Sequence, residues 1–226
     1  MSSAAPVVTV DGPSGTGTGT LCAWLAATLG WHFLDSGALY RLVGLRARRL
    51  GLALDDEPAV AAAAARLPVT FTILNGEFRP LLDGADVAAE LRTEAAGTDA
   101  SIVAALPAVR QALLQRQRDF RQAPGLVADG RDMGTVVSPD AGLKIFLTAS
   151  PEARAARRYK QLSDKGMGVN LGPLLEDIRR RDQRDQQRAI APLAPAPDAI
   201  ILDTTELGIT EVEDRVRQLL REQGLA

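Results

Sequence analysis

One cysteine (Cys22), one histidine (His32) and three lysines (Lys144, Lys160 and Lys165) are all that a chain of 226 residues holds of these types. A lone cysteine excludes an intramolecular disulfide, and the lack of any Cys–His cluster argues against zinc or another protein-held metal. Cys22 lies in an apolar helical stretch with no histidine near it in sequence, so it reads as a small core residue rather than a nucleophile. His32, in a short strand, reads as packing. With three lysines among 26 basic residues, cationic work falls to arginine. No apolar run approaches bilayer length, and the N-terminus lacks a basic region followed by a long apolar stretch. Neither a membrane span nor a signal peptide is expected, and the cytoplasm is the expected compartment. No internal repeat is found. The 26 basic residues face 28 acidic ones, a net charge of −2, which argues against a general nucleic-acid binder. A local cluster of positive charge for a small phosphorylated ligand remains compatible with that balance.

What is present is an alternation of short apolar strands and helices, the pattern of a parallel sheet covered on both faces, in 46% hydrophobic sequence. Strands are expected at 7–10, 31–34, 125–128, 143–148 and 199–202. Helices are expected from Leu21 to a stop at Gly30, after Asp35-Ser36-Gly37 through Leu50, over 107–121 with Pro107 at the first position, over 151–163 and 172–190, and at the C-terminus. The last helix is expected to open on a capping box of Thr210 and Glu213. The segment 67–92 differs: short extended runs separated by Asn75-Gly76 and Asp83-Gly84 predict a three-stranded antiparallel meander. The run at 59–65 favours helix.

Four stretches carry candidate chemistry. The first joins a strand to a helix through Gly12, Pro13, Ser14, Gly15, Thr16, Gly17, Thr18, Gly19 and Thr20. Successive backbone amides and a helix N-terminus make a cradle for anions. Gly12 and Gly17 fit the start of the G-x-x-x-x-G-K-[ST] pattern, but Thr18 stands in the lysine position and the hydroxyl is deferred to Thr20. A loosely matching glycine-rich turn is the alternative. In the second stretch, 35–41, Arg41 could clamp a phosphate or be a surface arginine. In the third, 128–135, Asp129 ends a strand, as does the acidic residue that holds magnesium-bound water in phosphoryl-transfer enzymes. Arg131 and Asp132 follow it. A charged turn is the alternative. In the fourth, Arg181, Asp185 and Arg188 share one helical face at i, i+4, i+7. Residues 151–190 hold ten basic and six acidic residues, either a solvated helix pair laced with ion pairs or an arginine lid that closes over phosphates.

Together these stretches resemble the bacterial cytidylate kinase family. The matching segments are Asp11 to Gly15, Gly17, Gly19 to Cys22, Asp35 to Arg41, Ala128 to Val137, Lys144 to Leu147 and Arg181 to Leu193. The deferral of the hydroxyl is similar to the Gly-Lys-Gly-Thr ending of nucleoside monophosphate kinases. The resemblance spans about residues 6–205. It implies transfer of the γ-phosphoryl of ATP to CMP or dCMP with Mg2+, held mainly through phosphates and water. It implies a P-loop core (1–60, 100–150 and 191–226), a nucleotide-monophosphate insert (61–99), an arginine-rich lid (151–190) and a monomer. Carried over residue by residue, it implies that Ser36, Arg41, Arg131 and Arg188 serve the monophosphate side, with Tyr40 also among the substrate-binding residues. Ser101, Arg110 and Asp132 would read cytosine, Arg181 and Asp185 would touch the sugar, and Arg157 and Arg158 would touch the transferring phosphates.

Thr18 is the departure. Three readings follow: an active cytidylate kinase, a kinase fold that binds nucleotides but turns over slowly, and a small-molecule kinase of the same fold, for shikimate or dephospho-coenzyme A. The meander and the 181/185/188 face speak against the third. Lys144 and Lys160 are conceivable substitutes for the missing ammonium. Lys144 opens a core strand and Lys160 belongs to a lid helix, so neither is placed by sequence to reach the cradle.

Overall fold

The computed structural model describes residues 5–74, 77–164, 166 and 168–225. The chain divides into two compact units, residues 1–35 with 118–226 and residues 36–117.

The first unit is built on β1 (Val7–Asp11), whose five residues are all buried. Such a strand needs cover on both faces, and its alternation shows how each is met. Val8 and Val10 point to one side, where they join Val127, Leu143, Ile145, Leu147 and Leu202 from neighbouring strands. That layer is closed by α1 (Thr18–Leu29) through Leu21, Cys22 and Leu25, and by α9 (Ile209–Glu222) through Val212, Val216 and Leu220. Burying each such leucine stabilises the fold by about 1.5–3 kcal/mol. On the other face Thr9 and Lys144 meet Gly134, in a single turn of π-helix over Met133–Val137.

The five-stranded sheet adds β2 (His32–Asp35), β6 (Leu126–Gly130), β7 (Leu143–Thr148) and β8 (Ile200–Asp203), in the order β2-β6-β1-β7-β8. Every pairing is parallel. All five strands therefore end at one edge of the sheet, and the connections change side at β1, the position where open α/β sheets receive ligands. Two further helices, α7 (Pro151–Ser163) and α8 (Leu171–Gln186), belong to this unit.

Helix α1 begins three residues before the expected Leu21. Helix propensity disfavours the Thr-Gly-Thr run, yet it is helical after the left-handed Gly17. Helix α8 ends at Gln186, so Arg188 lies beyond the helix rather than on its face. The box at the start of α9 is set two residues earlier than expected, because Gly208 precedes the helix and Glu211 Oε2 accepts from its N–H at 2.8 Å. His32 is exposed, not packed, with Nε2 3.0 Å from the Ala123 carbonyl. Cys22 is buried as expected.

The second unit contains α2 (Ser36–Arg49), α3 (Glu57–Ala65), the antiparallel sheet β3 (Val69–Leu74), β4 (Glu77–Leu82) and β5 (Ala85–Asp86), then α4 (Ala88–Leu91), α5 (Glu94–Val103) and α6 (Pro107–Arg118). The expected meander is there, and Asp83 and Gly84 both take positive φ at its second turn. The turn assigned to Asn75-Gly76 lies outside the described residues, as do Lys165 and Met167 of the segment between α7 and α8. The expected insert, 61–99, falls wholly within this unit. The expected meander, 67–92, ends early: β5 stops at Asp86 and α4 takes 88–91, where Asp86 Oδ1 accepts from the Ala88 N–H at 2.9 Å. Helix α5 carried no expectation, because 93–103 is rich in alanine, threonine and acidic residues with little apolar periodicity. The segment is fixed by the Thr93 cap, which accepts from the Ala96 N–H, and by packing of α5 on α2.

That packing depends on Gly44. A methyl group there would meet Asp99 Cβ at 2.9 Å, and Asp99 is held in place by a two-pronged bond from Arg48 (2.9 and 2.8 Å). Gly44→Ala should therefore destabilise the protein by about 1–3 kcal/mol despite its better helix propensity, the usual effect of overpacking. Thermal or urea unfolding checks this, and an unchanged midpoint would show that α5 moves aside freely.

Candidate active site

The loop leaving β1 is shaped by two glycines at φ 85° (Gly15) and 100° (Gly17), values that other residues adopt only with strain. Thr16 Oγ1 donates back to the Pro13 carbonyl at 2.9 Å and closes the turn. Gly17 has no side chain with which to cap α1, and the first bond of the helical ladder runs from Leu21 N–H to the Gly17 carbonyl at 3.0 Å. The amides of Thr18, Gly19 and Thr20 precede that bond. They form an uncapped helix start, with the positive end of the helix dipole, at the edge where the strands end.

Parallel register brings acids to this edge. Asp35 stands beside Asp129, and Asp11 is one step further along the neighbouring strand. Asp11 is buried and accepts from the N–H groups of Met133 and Gly134, each at 2.8 Å. Burial outweighs those bonds and pushes its pKa up to about 7. Burial raises Asp129 as well, reinforced by Asp35, while the Arg131 charge and a hydrogen bond from the Thr18 side chain act the other way. Thr18 is thus turned onto Asp129.

Around the loop lies a net of arginines. Arg154 is 2% exposed. It donates to Ser14 O at 3.1 Å, to Ala149 O at 3.0 Å and to both carboxylate oxygens of Asp182 at 3.0 and 2.5 Å. It therefore fastens α7, α8 and the loop together. Arg181 Nη1 approaches Ser14 Oγ at 3.3 Å. Asp185, also buried, accepts from Arg131 Nε at 3.4 Å and from Arg188 Nη2 at 2.6 Å. The loop and Arg131, Arg181, Asp185 and Arg188 thus share one neighbourhood with Asp129. Asp132 is buried just before the π-helical turn.

Arg157 donates to Thr204 Oγ1 at 3.1 Å and to the carbonyls of Thr204 and Thr205. The Thr204 hydroxyl lies 3.2 Å from Thr16 O and 3.1 Å from Thr148 O, tying the end of β8 to the loop and to β7. Arg158 Nη1 donates to Gln161 Oε1 at 3.3 Å. A cavity of about 560 Å³ opens here, walled by the loop from Gly15 to Leu21, by one side of α7 and by residues 207–213.

The second unit holds the other assigned residues. Ser36 Oγ donates to Gln117 Oε1 at 2.7 Å, Arg41 donates to the Leu91 carbonyl, and the Arg110 guanidinium sits 5.7 Å from the centre of the Tyr40 ring. Arg110 and Ser101 are both buried.

The cytidylate kinase family model matches residues 8–222 of the chain. The chain belongs to the cytidylate kinase family. Among curated cytidylate kinases, that of Pseudomonas entomophila is 59% identical over 222 residues, 97% of each chain. That of Pseudomonas putida is 57% identical over the full length of both. That of Aeromonas hydrophila is 58% identical over 212 residues, 94% of this chain and 92% of its own.

Sequence reading passed over two side chains that hold this neighbourhood together, Arg154 and Thr204. Arg154 was one of eight arginines in the stretch 151–190, and nothing in its spacing set it apart. Thr204 lay just past the last strand; its place at a strand end was the one available signal.

Asp11 generates a pH dependence. Its folded pKa of about 7 lies above the ordinary value of 3.8, so the folded state holds a proton that the unfolded chain has released. Stability from this source is complete below about 3.8 and is lost as the pH rises toward about 7, on the order of a few kcal/mol over the window. Asp129 acts in the same direction. The melting temperature should fall between pH 5 and pH 8, and Asp11→Asn, neutral throughout, should reduce that fall. Equal pH slopes for the two proteins would remove Asp11 as its source.

Proposed function

We propose that the protein transfers the γ-phosphoryl group of ATP to CMP or dCMP, giving CDP or dCDP, at a rate lowered by Thr18. The observation that carries this reading is the uncapped start of α1, closed around by Arg154 and Arg181 and opening on the cavity beside α7. Phosphoryl transfer needs little covalent chemistry from a protein. It needs in-line positioning and compensation of charge on the phosphate oxygens. The amides of 18–20 would hold the ATP phosphates, with Arg157 and Arg158 beside them. Arg131 and Arg188, held at fixed spacing by Asp185, would receive the acceptor's phosphate together with Ser36, Tyr40 and Arg41. Ser101, Arg110 and Asp132 would read the cytosine edge, and Arg181 with Asp185 the sugar. We take 61–99 as the acceptor-binding insert, 151–190 as the lid and the monomer as the working form, in the cytoplasm.

Mg2+ fits this arrangement. The ion would be carried mainly by phosphates and water. The buried Asp129 carboxylate, whose charge is poorly compensated, and the Thr20 hydroxyl would be its protein-side partners. When bound, the ion would neutralise phosphate charge.

A second reading, a nucleotide-binding protein of the same fold with impaired catalysis, is favoured by one observation: the Thr18 hydroxyl is engaged with Asp129. A neutral hydroxyl cannot follow charge that develops on the β- and γ-phosphates. ATP-dependent CMP phosphorylation by the chain and by Thr18→Lys separates the two. Thr18→Lys should raise kcat by about a hundredfold or more, the size of one lost charge-stabilising donor, while CMP affinity barely changes. Equal rates would mean that another group already does the lysine's work. Acceptor choice is tested by binding. UMP should bind far more weakly than CMP, because a buried acceptor such as Asp132 left facing a carbonyl loses a matched hydrogen bond. Equal affinities would remove cytosine reading from the proposal.

A further inference from the structure

Arg157, Lys144 and Lys160 differ in how they are held. The wall that α7 presents to the cavity includes residues 157, 160, 161 and 164, at i, i+3, i+4, i+7, so it is one helical face running along the cavity beside Thr18. Arg157, at its start, is fastened to Thr204 and Thr205 by three bonds. Lys144 is buried in β7 and bound to Pro139 O at 2.7 Å and Asp198 at 2.9 Å, which removes it as a substitute. Lys160 is different. Its side chain is 79% exposed, and its partner Asp164, at 3.5 Å, is 64% exposed. A solvated pair of that kind contributes little and gives way readily to a polyanion.

We propose that Lys160 crosses the cavity to the phosphates of bound ATP and supplies part of the positive charge that Thr18 lacks. The inference rests on the kinase reading above and deepens it, and it corrects the sequence-based expectation that Lys160 lies out of reach. A lysine suits the task because its charge sits on a flexible stem with rotatable donors. Asp164 holds the ammonium along the same wall when no nucleotide is bound. Thr18, turned onto Asp129, leaves the cradle without side-chain charge of its own. The residual rate of this chain then depends on Lys160, whereas a chain with lysine at 18 has no such need.

A double-mutant cycle tests the proposal in the full chain, with four proteins: the chain itself, Lys160→Met, Thr18→Lys and the double variant. Two quantities are read for each, the affinity for an unreactive ATP analogue with Mg2+ and kcat/KM for ATP at saturating CMP. With Thr18 present, Lys160→Met should lower both by about tenfold; with Thr18→Lys, by less than about twofold. Lys160→Arg, which keeps the charge, should retain most of both. Equal losses in the two backgrounds, or no loss with Thr18 present, overturn the proposal. Its exposure makes Lys160→Met safe for folding. If no variant phosphorylates CMP while analogue binding still shows the coupling, the acceptor assignment fails and the role of Lys160 stands. If CMP is phosphorylated and the coupling is missing, the reverse holds.

Discussion

Parallel pairing of β1 between β6 and β7 is the constraint on which the site depends. It forces five strand ends to one edge and sets Asp11, Asp35 and Asp129 within electrostatic reach of one another. Charge of one sign is thereby gathered under a loop whose amides attract anions. The two demands oppose each other: the loop calls for phosphate, and the acids below it repel phosphate. In such an arrangement the strand-end acids need cations near them, and the phosphates need cations on the far side.

Arg131 meets the first demand, its charge acting on Asp11 and Asp129, while buried, multiply bonded arginines hold the surroundings in place. Arg154 shows why the residue type matters. A planar fork can serve Ser14 O, Ala149 O and both oxygens of Asp182 at once, and lysine could not reproduce that geometry. Such buried pairs add little net stability against an apolar core, but breaking one leaves a charge stranded. Their value here is positional: they set loop, α7 and α8 in a fixed relation inside one unit. The Arg131–Asp185–Arg188 group does the same for two guanidinium groups that would otherwise repel.

Much of this was legible in the sequence because it rests on local rules. Gly30 and Gly51 end helices in left-handed conformation, Asp83-Gly84 turns a hairpin, and apolar five-residue runs are central strands. The loop after β1 was legible for the same reason, since its glycines answer to backbone geometry. What was not legible depends on contacts distant in sequence. Nothing local distinguishes Arg154 from Arg157 or Arg158, because Asp182 and Ser14 select it from 28 and 140 residues away. The end of α8 before Arg188 and the exposure of His32 carried no local signal either. Helix α5 escaped because it is held by a close approach at Gly44 rather than by an apolar stripe.

Lysine at position 18 would meet both electrostatic demands with one group. An ammonium there lies between strand-end carboxylates and phosphate, compensating Asp129 from one side and the ligand from the other. Threonine divides that function. Its hydroxyl serves Asp129 with a hydrogen bond, which favours the carboxylate only modestly against burial and the nearby Asp35. The phosphate side is left to groups outside the loop. A cation on α7 can serve that side only when the helix and the loop hold the nucleotide together, so its contribution depends on the position of the helix. A loop lysine carries no such condition. With threonine at 18, charge compensation of the phosphates would be conditional on the placement of α7, which Arg154 ties to the loop and to α8.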